Sequence, residues 1–539
     1  MKNSCYICLT IKNLVLMSKF NQKKVEKTVT TKQGGVGYEW SNEIELVLLL
    51  AAGTGDKYYQ KESATFKQLD GLMEKIAKKD KLFLAKAIVY ARSVLGQRSI
   101  THYAAARLAA LLNGEDWGKD FYNKRARKKN EGGVIFRLDD ILEIAAAYKA
   151  LNGQEKIKLS NAVKKGFAKA IESADAYEIA KYKGTGKEVS LVDIINLVHP
   201  KASGETAEAI NGLINGNLKQ FNTRQAANTE TGKEVAEAVK RGEIKKEDKD
   251  KVLKEAKSAN YRELIENRKI GYMDLVRNLR NIIKTDTDLI PLAKEILLDK
   301  KLIDQSKIFP HQIDLAIEVL MKEVSNGPSL REVISYLVQA YELAVDNVKH
   351  LNMHGRTAVV YDTSGSMQGG WGSGVMIGKG QKSYSSPVEK AALIAATLGK
   401  GLNADIYQFA SSCKVVPYNT MDSIHSITKN LVGQIGRVGH GTAFSSIFDG
   451  LKDRYDRVFI ISDMQGADEC KRAVANYKKR KGVDPYIYAI DLCGYGSTSI
   501  KPNQKVFPLA GYSAAIYETA KTYEIDPKAL INEIKKIKF

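Results

Sequence analysis

The chain has 539 residues, of which 44% are hydrophobic and 27% are charged, the composition of an ordinary globular protein with about two to four domains. Lys and Arg number 83 against 62 Asp and Glu, and the resulting net charge of +21 favours a polyanionic partner. No apolar run reaches the roughly 18 residues of a membrane span, so we predict no membrane partner.

Residues 1–40 are predicted to be an extension or arm. The apolar part of the first 17 residues resembles a signal peptide, but Lys12 and Asn13 interrupt it and no small-residue cleavage site follows. We therefore expect the extension to lie upstream of a second start at Met17. Polar residues with several glycines follow up to residue 40.

The five cysteines form no disulfide framework, and their odd number favours a reducing compartment, so we expect a cytoplasmic protein. Cys5 and Cys8 have CxxC spacing, but no second pair or His partner follows, and we expect neither a metal nor a redox role for them. The others are Cys413, Cys470 and Cys493.

Residues 41–352 are predicted to be helical throughout. The first predicted helix begins at Ser41, and its first turn carries Glu43 and Glu45 before an apolar face. Gly53 is expected to end this helix. Apolar residues at spacings of three and four recur in further segments: 80–95, 138–151, 189–198, 272–283, 312–324 and 329–345. Helices in succession with short breaks favour a HEAT-like helical repeat.

Basic residues of this region concentrate in a few segments. The densest is residues 123–130 (NKRARKKN), and others include Lys164 with Lys165, and Lys181 to Lys187. Such residues neutralise phosphates, and interleaved Tyr can stack on unpaired bases. Any single cluster can equally be a solvated helix face, which is how we interpret the mixed charges of residues 240–257.

Residues 353–539 show a different pattern, with strand candidates at 356–361, 405–409, 413–417, 457–462 and 485–492. Predicted helices alternate with them at 387–402, 422–432, 443–452, 468–481 and 513–523. This alternation predicts an α/β doubly wound, Rossmann-like parallel sheet, with an antiparallel edge strand as one option. A Gly-rich segment at 369–386 interrupts the passage into the first helix and is expected to be a loop over the strand ends.

Oxygen-bearing side chains follow two of these strands. Asp362, Ser364 and Ser366 come after the apolar run 358–361, and Asp463 ends the run 457–463. Ligands of open α/β sheets bind beyond the carboxyl ends of the strands, and oxygen ligands without His or Cys suit Mg²⁺. The alternative is that the serines only cap the next helix and Asp463 only caps a turn.

With Thr442 in the loop between them, this order resembles the metal-ion-dependent adhesion site of von Willebrand factor A domains. The resemblance implies that Ser364 and Ser366 bind the metal directly and Asp362 through water. Thr442 and Asp463 would bind directly or through water, and an acidic group of a partner could complete the shell.

A helical first part followed by such a domain resembles the Ro autoantigen family, the TROVE-domain RNA-binding proteins, over residues 37–539. The matching runs are 51–62 (AAGTGDKYYQKE), 181–183 (KYK), 197–201 (LVHPK), 273–281 (MDLVRNLRN) and 308–320 (IFPHQIDLAIEVL). The resemblance implies two parts, a TROVE helical ring at 41–352 and a von Willebrand factor A domain at 353–539. The N-terminal extension at 1–40 and the Gly-rich segment after Met367 depart from the family's pattern.

The resemblance also implies function. Family members bind small structured Y RNAs on a basic outer surface and take single-stranded 3′ ends of misfolded noncoding RNAs into a central hole. Lys181, Lys183 and His199 would contact RNA, and Lys187 is an additional candidate. The expected protein is a non-catalytic, monomeric ring in RNA quality control or turnover, with an exoribonuclease as one conceivable protein partner.

A second function stays open. The chain could be an adaptor whose metal site binds a partner carboxylate, with the helices as scaffold. An enzyme is not expected, because the sequence contains no Ser-His-Asp order, no GxxxxGK[ST] motif and no paired acids of nuclease type.

Overall fold

The structure is a computed structural model. It describes residues 28–54, 57–112, 114–124, 131–218, 224–306, 308, 310–344, 353–368, 375–376, 382–383, 386–510 and 515–539. Cys5 and Cys8, most of the basic run 123–130 and most of the Gly-rich segment 369–386 lie outside these residues. The predicted domain boundary after residue 352 adjoins residues 345–352, which also lie outside the described residues.

The first part of the chain begins with two short strands and continues as helices. The strands are β1 (Val29–Thr30) and β2 (Val36–Glu39). The helices are α1 (Asn42–Ala52), α2 (Glu62–Ala77), α3 (Lys81–Ser93), α4 (Ser99–Leu108), α5 (Gly118–Phe121), α6 (Asp139–Leu151), α7 (Asn161–Glu172), α8 (Ala176–Lys181), α9 (Leu191–Val198), α10 (Gly204–Ile214), α11 (Arg224–Lys240), α12 (Lys249–Glu266), α13 (Tyr272–Thr285), α14 (Ile290–Leu297), α15 (Lys300–Ser306), α16 (Pro310–Glu323) and α17 (Pro328–Ala344).

The predicted helix signals act as expected at the ends of these helices. Ser41 caps α1, with its Oγ accepting a hydrogen bond from the N–H of Ile44 at 3.4 Å, and Gly53 follows the helix at φ +74°. Asp80 caps α3 in the same way through the N–H of Phe83 at 2.8 Å. Some helices pack on the next one in sequence, such as α1 on α2, α11 on α12 and α16 on α17, and others pack on the one after it, such as α4 on α6 and α8 on α10.

The second part of the chain alternates strands and helices. The strands are β3 (Thr357–Asp362), β4 (Val375–Met376), β5 (Lys382–Ser383), β6 (Asp405–Phe409), β7 (Cys413–Val415), β8 (Arg457–Ser462), β9 (Tyr486–Asp491), β10 (Ser497–Thr498) and β11 (Val506–Ala510). The helices are α18 (Pro387–Leu402), α19 (Ile424–Val432), α20 (Phe444–Gly450), α21 (Lys471–Lys481), α22 (Ala515–Tyr523) and α23 (Ala529–Lys535).

The main sheet has the order β7-β6-β3-β8-β9-β11, parallel except for β7, which pairs antiparallel with β6. From β3 the chain moves outward through β6 to β7, and it then returns to the other side for β8, β9 and β11. This is the strand order of a doubly wound sheet, whose direction reverses between β3 and β8. Every residue of β3 and β8 is buried, as expected for central strands covered on both faces.

Both ends of the helical part contact the sheet domain. At the beginning, α1 packs on β11 and α3 packs on α23, where Lys86 Nζ donates to the carbonyl of Lys535 at 2.7 Å. At the end, α17 packs on α19, and Asp314 of α16 accepts from His425 at 2.6 Å. The chain is therefore a helix-rich first part attached at both ends to a mixed sheet domain, while the HEAT-like repeat and the ring stay predictions.

Residues 28–40, which belong to the predicted arm, are ordered on the sheet domain. β1 and β2 form the N-terminal hairpin (residues 29–39), and β2 pairs antiparallel with β10, opposing Tyr38 to Thr498. No helix within the described ranges is long and apolar enough to cross a bilayer.

Candidate functional site

The point where the sheet reverses direction brings together Asp362 and Asp463. Because β3 and β8 pair in register, with Tyr361 opposite Ile461, both strands end side by side. Ser462 Oγ donates to Asp362 Oδ2 at 2.5 Å, and the N–H of Ser364 donates to Asp362 Oδ1 at 2.8 Å. Asp362 is thereby fixed in orientation by the last residue of β8 and by the turn after β3.

The two predicted serines lie in the turn after β3. Their hydroxyl oxygens are 3.3 Å apart, and both serines are buried. The N–H of Gly365 between them donates to the carbonyl of His440 at 2.9 Å. That bond joins the serine turn to the loop that carries Thr442.

Thr442 is 1% exposed and is held by a tightly packed loop. Gly439 has φ +88°, and a Cβ there would lie 2.7 Å from Ser411 Oγ, so only glycine fits without rearrangement. The N–H of Gly441 donates to Ser411 Oγ at 3.0 Å, and the carbonyl of Thr442 accepts from the N–H of Ala467 at 2.8 Å. The structure thus assembles all five predicted metal-site residues at one edge of the sheet.

The two carboxyl groups lie in an unfavourable environment for negative charge. Burial raises the pKa of Asp362 to about 6, although the hydrogen bonds from Ser462 and Ser364 lower it in part. Burial and then the charge of Asp362 raise the pKa of Asp463 to about 8, although Ser366 and the N–H of Gln465 favour its ionised form. A cation between the two groups would relieve this cost.

One atom of the site is left without a partner. Asp463 Oδ2 is buried and makes no hydrogen bond to any residue that the structure describes. No group of three or more His, Cys, Asp or Glu side chains that could hold a metal occurs among those residues. A metal at this edge would therefore depend on hydroxyls together with the two carboxylates, a donor set that suits Mg²⁺.

Two side chains from the N-terminal region reach the same place. Gln33, at the turn of the N-terminal hairpin, donates from Nε2 to Thr442 Oγ1 at 2.7 Å. Burial and the charge of Asp463 raise the pKa of the Tyr59 hydroxyl, while hydrogen bonds with Ser366 and Gln33 oppose the shift. Neither residue is among the site residues predicted from the sequence, although Tyr59 belongs to the matched run 51–62.

Asp491 is a third acid at the end of a strand, and it is not among the predicted site residues. Its carboxylate accepts from the N–H groups of Cys493 and Gly494 at 2.9 and 2.8 Å, and burial raises its pKa to about 6. Lys57 donates to the carbonyl of Cys493 at 2.6 Å beside it. The sequence carries the same pattern for Asp491 as for Asp463, since each ends an apolar run.

The predicted basic surface centres on Lys181 at the end of α8. Its ammonium lies 5.3 and 5.6 Å from the ring centres of Tyr177 and Tyr182, within cation–π distance. Burial lowers the pKa of Lys181, but the two tyrosines and Asp274 outweigh it and raise the pKa overall. The guanidinium of Arg137 lies 5.2 Å from the centre of the Tyr182 ring, and Arg137 is not among the predicted RNA-binding residues.

The other three candidates are exposed. The carbonyl of Lys183 accepts from the N–H of Leu191 at 3.0 Å, so Lys183 adjoins the start of α9. His199 ends α9 in the left-handed conformation with φ +48°, about 12 Å further along at 1.5 Å per residue. Lys187 is paired with Glu143 at 2.6 Å, so part of its charge is already neutralised.

Comparison with solved structures identifies the architecture. The crystal structure of the Deinococcus radiodurans Ro (RSR) protein aligns with a TM-score of 0.54, covering 92% of this chain and 99% of that chain. The chain has the Ro fold. At 16% sequence identity the likeness concerns the fold itself, and the Ro resemblance predicted from the sequence is confirmed at that level.

No known protein-family model and no curated protein matches the chain. The aligned region nevertheless includes nearly the whole Ro structure, so the two-part arrangement of helices and sheet corresponds throughout.

Proposed function

We propose that this protein is a non-catalytic RNA-binding protein. It would bind small structured noncoding RNA of the Y RNA kind on its basic helical surface and single-stranded ends of misfolded RNA in a central hole. Its place would be in RNA quality control or turnover in the cytoplasm, as a monomeric ring. The observation that carries the proposal is the group formed by Lys181, Lys183 and two tyrosines on the Ro fold.

The chemistry of that group fits RNA. The ammonium of Lys183 is exposed, and Lys181 is kept charged beside Tyr177 and Tyr182. Lysines attract phosphates, and tyrosine rings beside them provide stacking surfaces for unpaired bases. Since His199 lies about one helix length away, an RNA in contact with both must extend along α9.

We further propose that Asp362, Ser364, Ser366, Thr442 and Asp463 hold Mg²⁺, as a von Willebrand factor A-like domain would. The support is the unpartnered Asp463 Oδ2 and the two buried acids whose charges oppose each other. The adaptor alternative needs a metal position accessible to a partner carboxylate. It is less favoured, because Thr442 is buried and already accepts a hydrogen bond from Gln33.

Salt dependence of RNA affinity tests the RNA-binding proposal. A hairpin RNA with a single-stranded 3′ tail should lose affinity for the Lys181→Ala/Lys183→Ala variant. The slope of log affinity against log salt should flatten by up to about two units, roughly one per phosphate contact.

The matched control is Lys249→Ala/Lys251→Ala, which removes the same charge from exposed positions of the mixed-charge helix α12. The control should bind nearly as the wild type does. If both variants changed affinity and slope equally, the effect would be general charge attraction, and Lys181 and Lys183 would not form the binding surface.

A further inference from the structure

The turn of the N-terminal hairpin is seated on the loop that follows Asp463. Thr31 Oγ1 donates to the carbonyl of Gly466 at 2.6 Å, and the N–H of Lys32 donates to Gln465 Oε1 at 2.8 Å. A Cβ on Gly35 would lie 2.5 Å from the carbonyl oxygen of Gly466, so the two backbones touch. The hairpin is therefore positioned by direct contacts two and three residues beyond a predicted metal ligand.

This seating places Gln33 over the candidate metal site. Its Nε2 donates to Oγ1 of Thr442, one of the five predicted metal-site residues, at 2.7 Å. A half-turn of the amide exchanges Nε2 for Oε1 at the same place, and amide oxygens are ligands that divalent cations of this class accept. Among the buried side-chain oxygens of the five site residues, all of which the structure describes, only Asp463 Oδ2 has no hydrogen-bond partner.

We infer that the N-terminal hairpin is a built-in occupant of the metal site, with the Gln33 amide at the position that an outside carboxylate would take. The inference rests on the metal site proposed above and goes beyond it by assigning the open position to this chain itself. Metal binding and hairpin docking then stabilise each other, because each adds a contact to the other. A carboxylate-bearing molecule binds the metal only where the Gln33 amide has left it.

Mn²⁺ binding followed by electron paramagnetic resonance tests this on the full chain, with acetate as the carboxylate probe. Gln33→Ala should weaken Mn²⁺ binding about threefold to tenfold, as expected for the loss of one polar contact. Acetate should alter the Mn²⁺ spectrum of Gln33→Ala and leave that of the wild type unchanged.

Lys32→Ala is the matched control, because Lys32 is exposed in the same turn and contacts the sheet domain only through its backbone N–H among the contacts that the structure describes. It should behave as the wild type does. Hydrogen exchange of residues 29–39 provides the second measurement: Mg²⁺ should slow exchange in the wild type and in Lys32→Ala, and should have no effect in Gln33→Ala.

Two results would overturn the inference, and they are distinguishable. If the wild type bound no Mn²⁺ and Asp362→Ala changed nothing, the metal site itself would be wrong. If Mn²⁺ bound and Asp362→Ala abolished binding, but Gln33→Ala matched the wild type in affinity, acetate response and hairpin exchange, the metal site would stand and the hairpin would not be its occupant.

Discussion

Asp140 is a fully buried carboxylate that joins three helices of the first part. It accepts hydrogen bonds from Arg92 of α3 at 2.9 Å and from His102 of α4 at 2.8 Å. The N–H groups of Phe136 and Arg137 add further bonds at 3.0 and 2.9 Å. Burial alone would raise the pKa of Asp140, but the His102 hydrogen bond and the charge of Arg92 outweigh it and hold the pKa well below its usual range.

Replacing this carboxylate should destabilise the helical part. Asp140→Asn keeps the shape but leaves Arg92, which is 5% exposed, without its counter-charge. We expect a loss of about 3 to 5 kcal/mol, the usual cost of removing one partner of a buried ion pair. Thermal unfolding measures the loss, and Asp250→Asn on the exposed face of α12 is the control, with a change within about 0.5 kcal/mol.

Asp140 should also make the stability of the folded protein depend on pH. Because the folded-state pKa of Asp140 is lowered, its contribution is complete above the unfolded pKa of about 4 and is lost as the pH falls toward the folded value. The difference in stability between wild type and Asp140→Asn should therefore be constant near neutral pH and shrink below about pH 4. A difference that did not change with pH would show that Asp140 acts by shape alone.

Gly35 shows how one element depends on backbone contact. Its α-carbon faces the backbone of residues 466–468, with a hypothetical Cβ only 2.5 Å from the Gly466 oxygen. Gly35→Ala should therefore lift the N-terminal hairpin from the sheet domain while the main sheet stays folded. Limited proteolysis should cut within residues 29–39 faster than in the wild type; Gly232→Ala, where no atom lies within 4 Å, is the control.

Elements with a strong local pattern were predictable. The strands β3, β6, β8 and β9 and the helix α18 lie where the apolar runs placed them, to within about a residue. Their burial on both faces of the sheet produces continuous apolar runs, and such runs can be read without knowledge of their partners.

Elements that depend on distant partners were not predictable. β11 contains Pro508 and has no pattern of a central strand, but as an edge strand beside β9 it tolerates the missing N–H donor. β1, β2 and β10 are too short for a periodic signal, and β10 forms only because it pairs with β2, which lies far away in the sequence.

The candidate site divides in the same way. Asp362, Ser364, Ser366 and Asp463 were identified because strand ends carry their own signal. Gln33 carries no local signal, because its contact with Thr442 joins two residues that are 409 positions apart in the sequence.

The whole molecule joins two surfaces with different chemistry. The Ro fold carries the basic and aromatic surface on α8 and α9, and the candidate metal site lies at the reversal point of the sheet. Because both ends of the helical part pack on the sheet domain, the helical surface and the metal site belong to one connected framework. The proposed RNA function and the proposed hairpin occupancy are nevertheless separable, since their residues do not overlap.

Sequencing of the RNA that copurifies with the tagged protein tests the central claim most directly. The comparison is the Lys181→Ala/Lys183→Ala/His199→Asn variant, in which Asn accommodates the left-handed conformation that His199 adopts. The Lys249→Ala/Lys251→Ala variant is the charge-matched control. RNA binding on α8 and α9 predicts one enriched small structured RNA in the wild type and the control, lost in the triple variant. No enriched RNA, or equal RNA in all three samples, would contradict it.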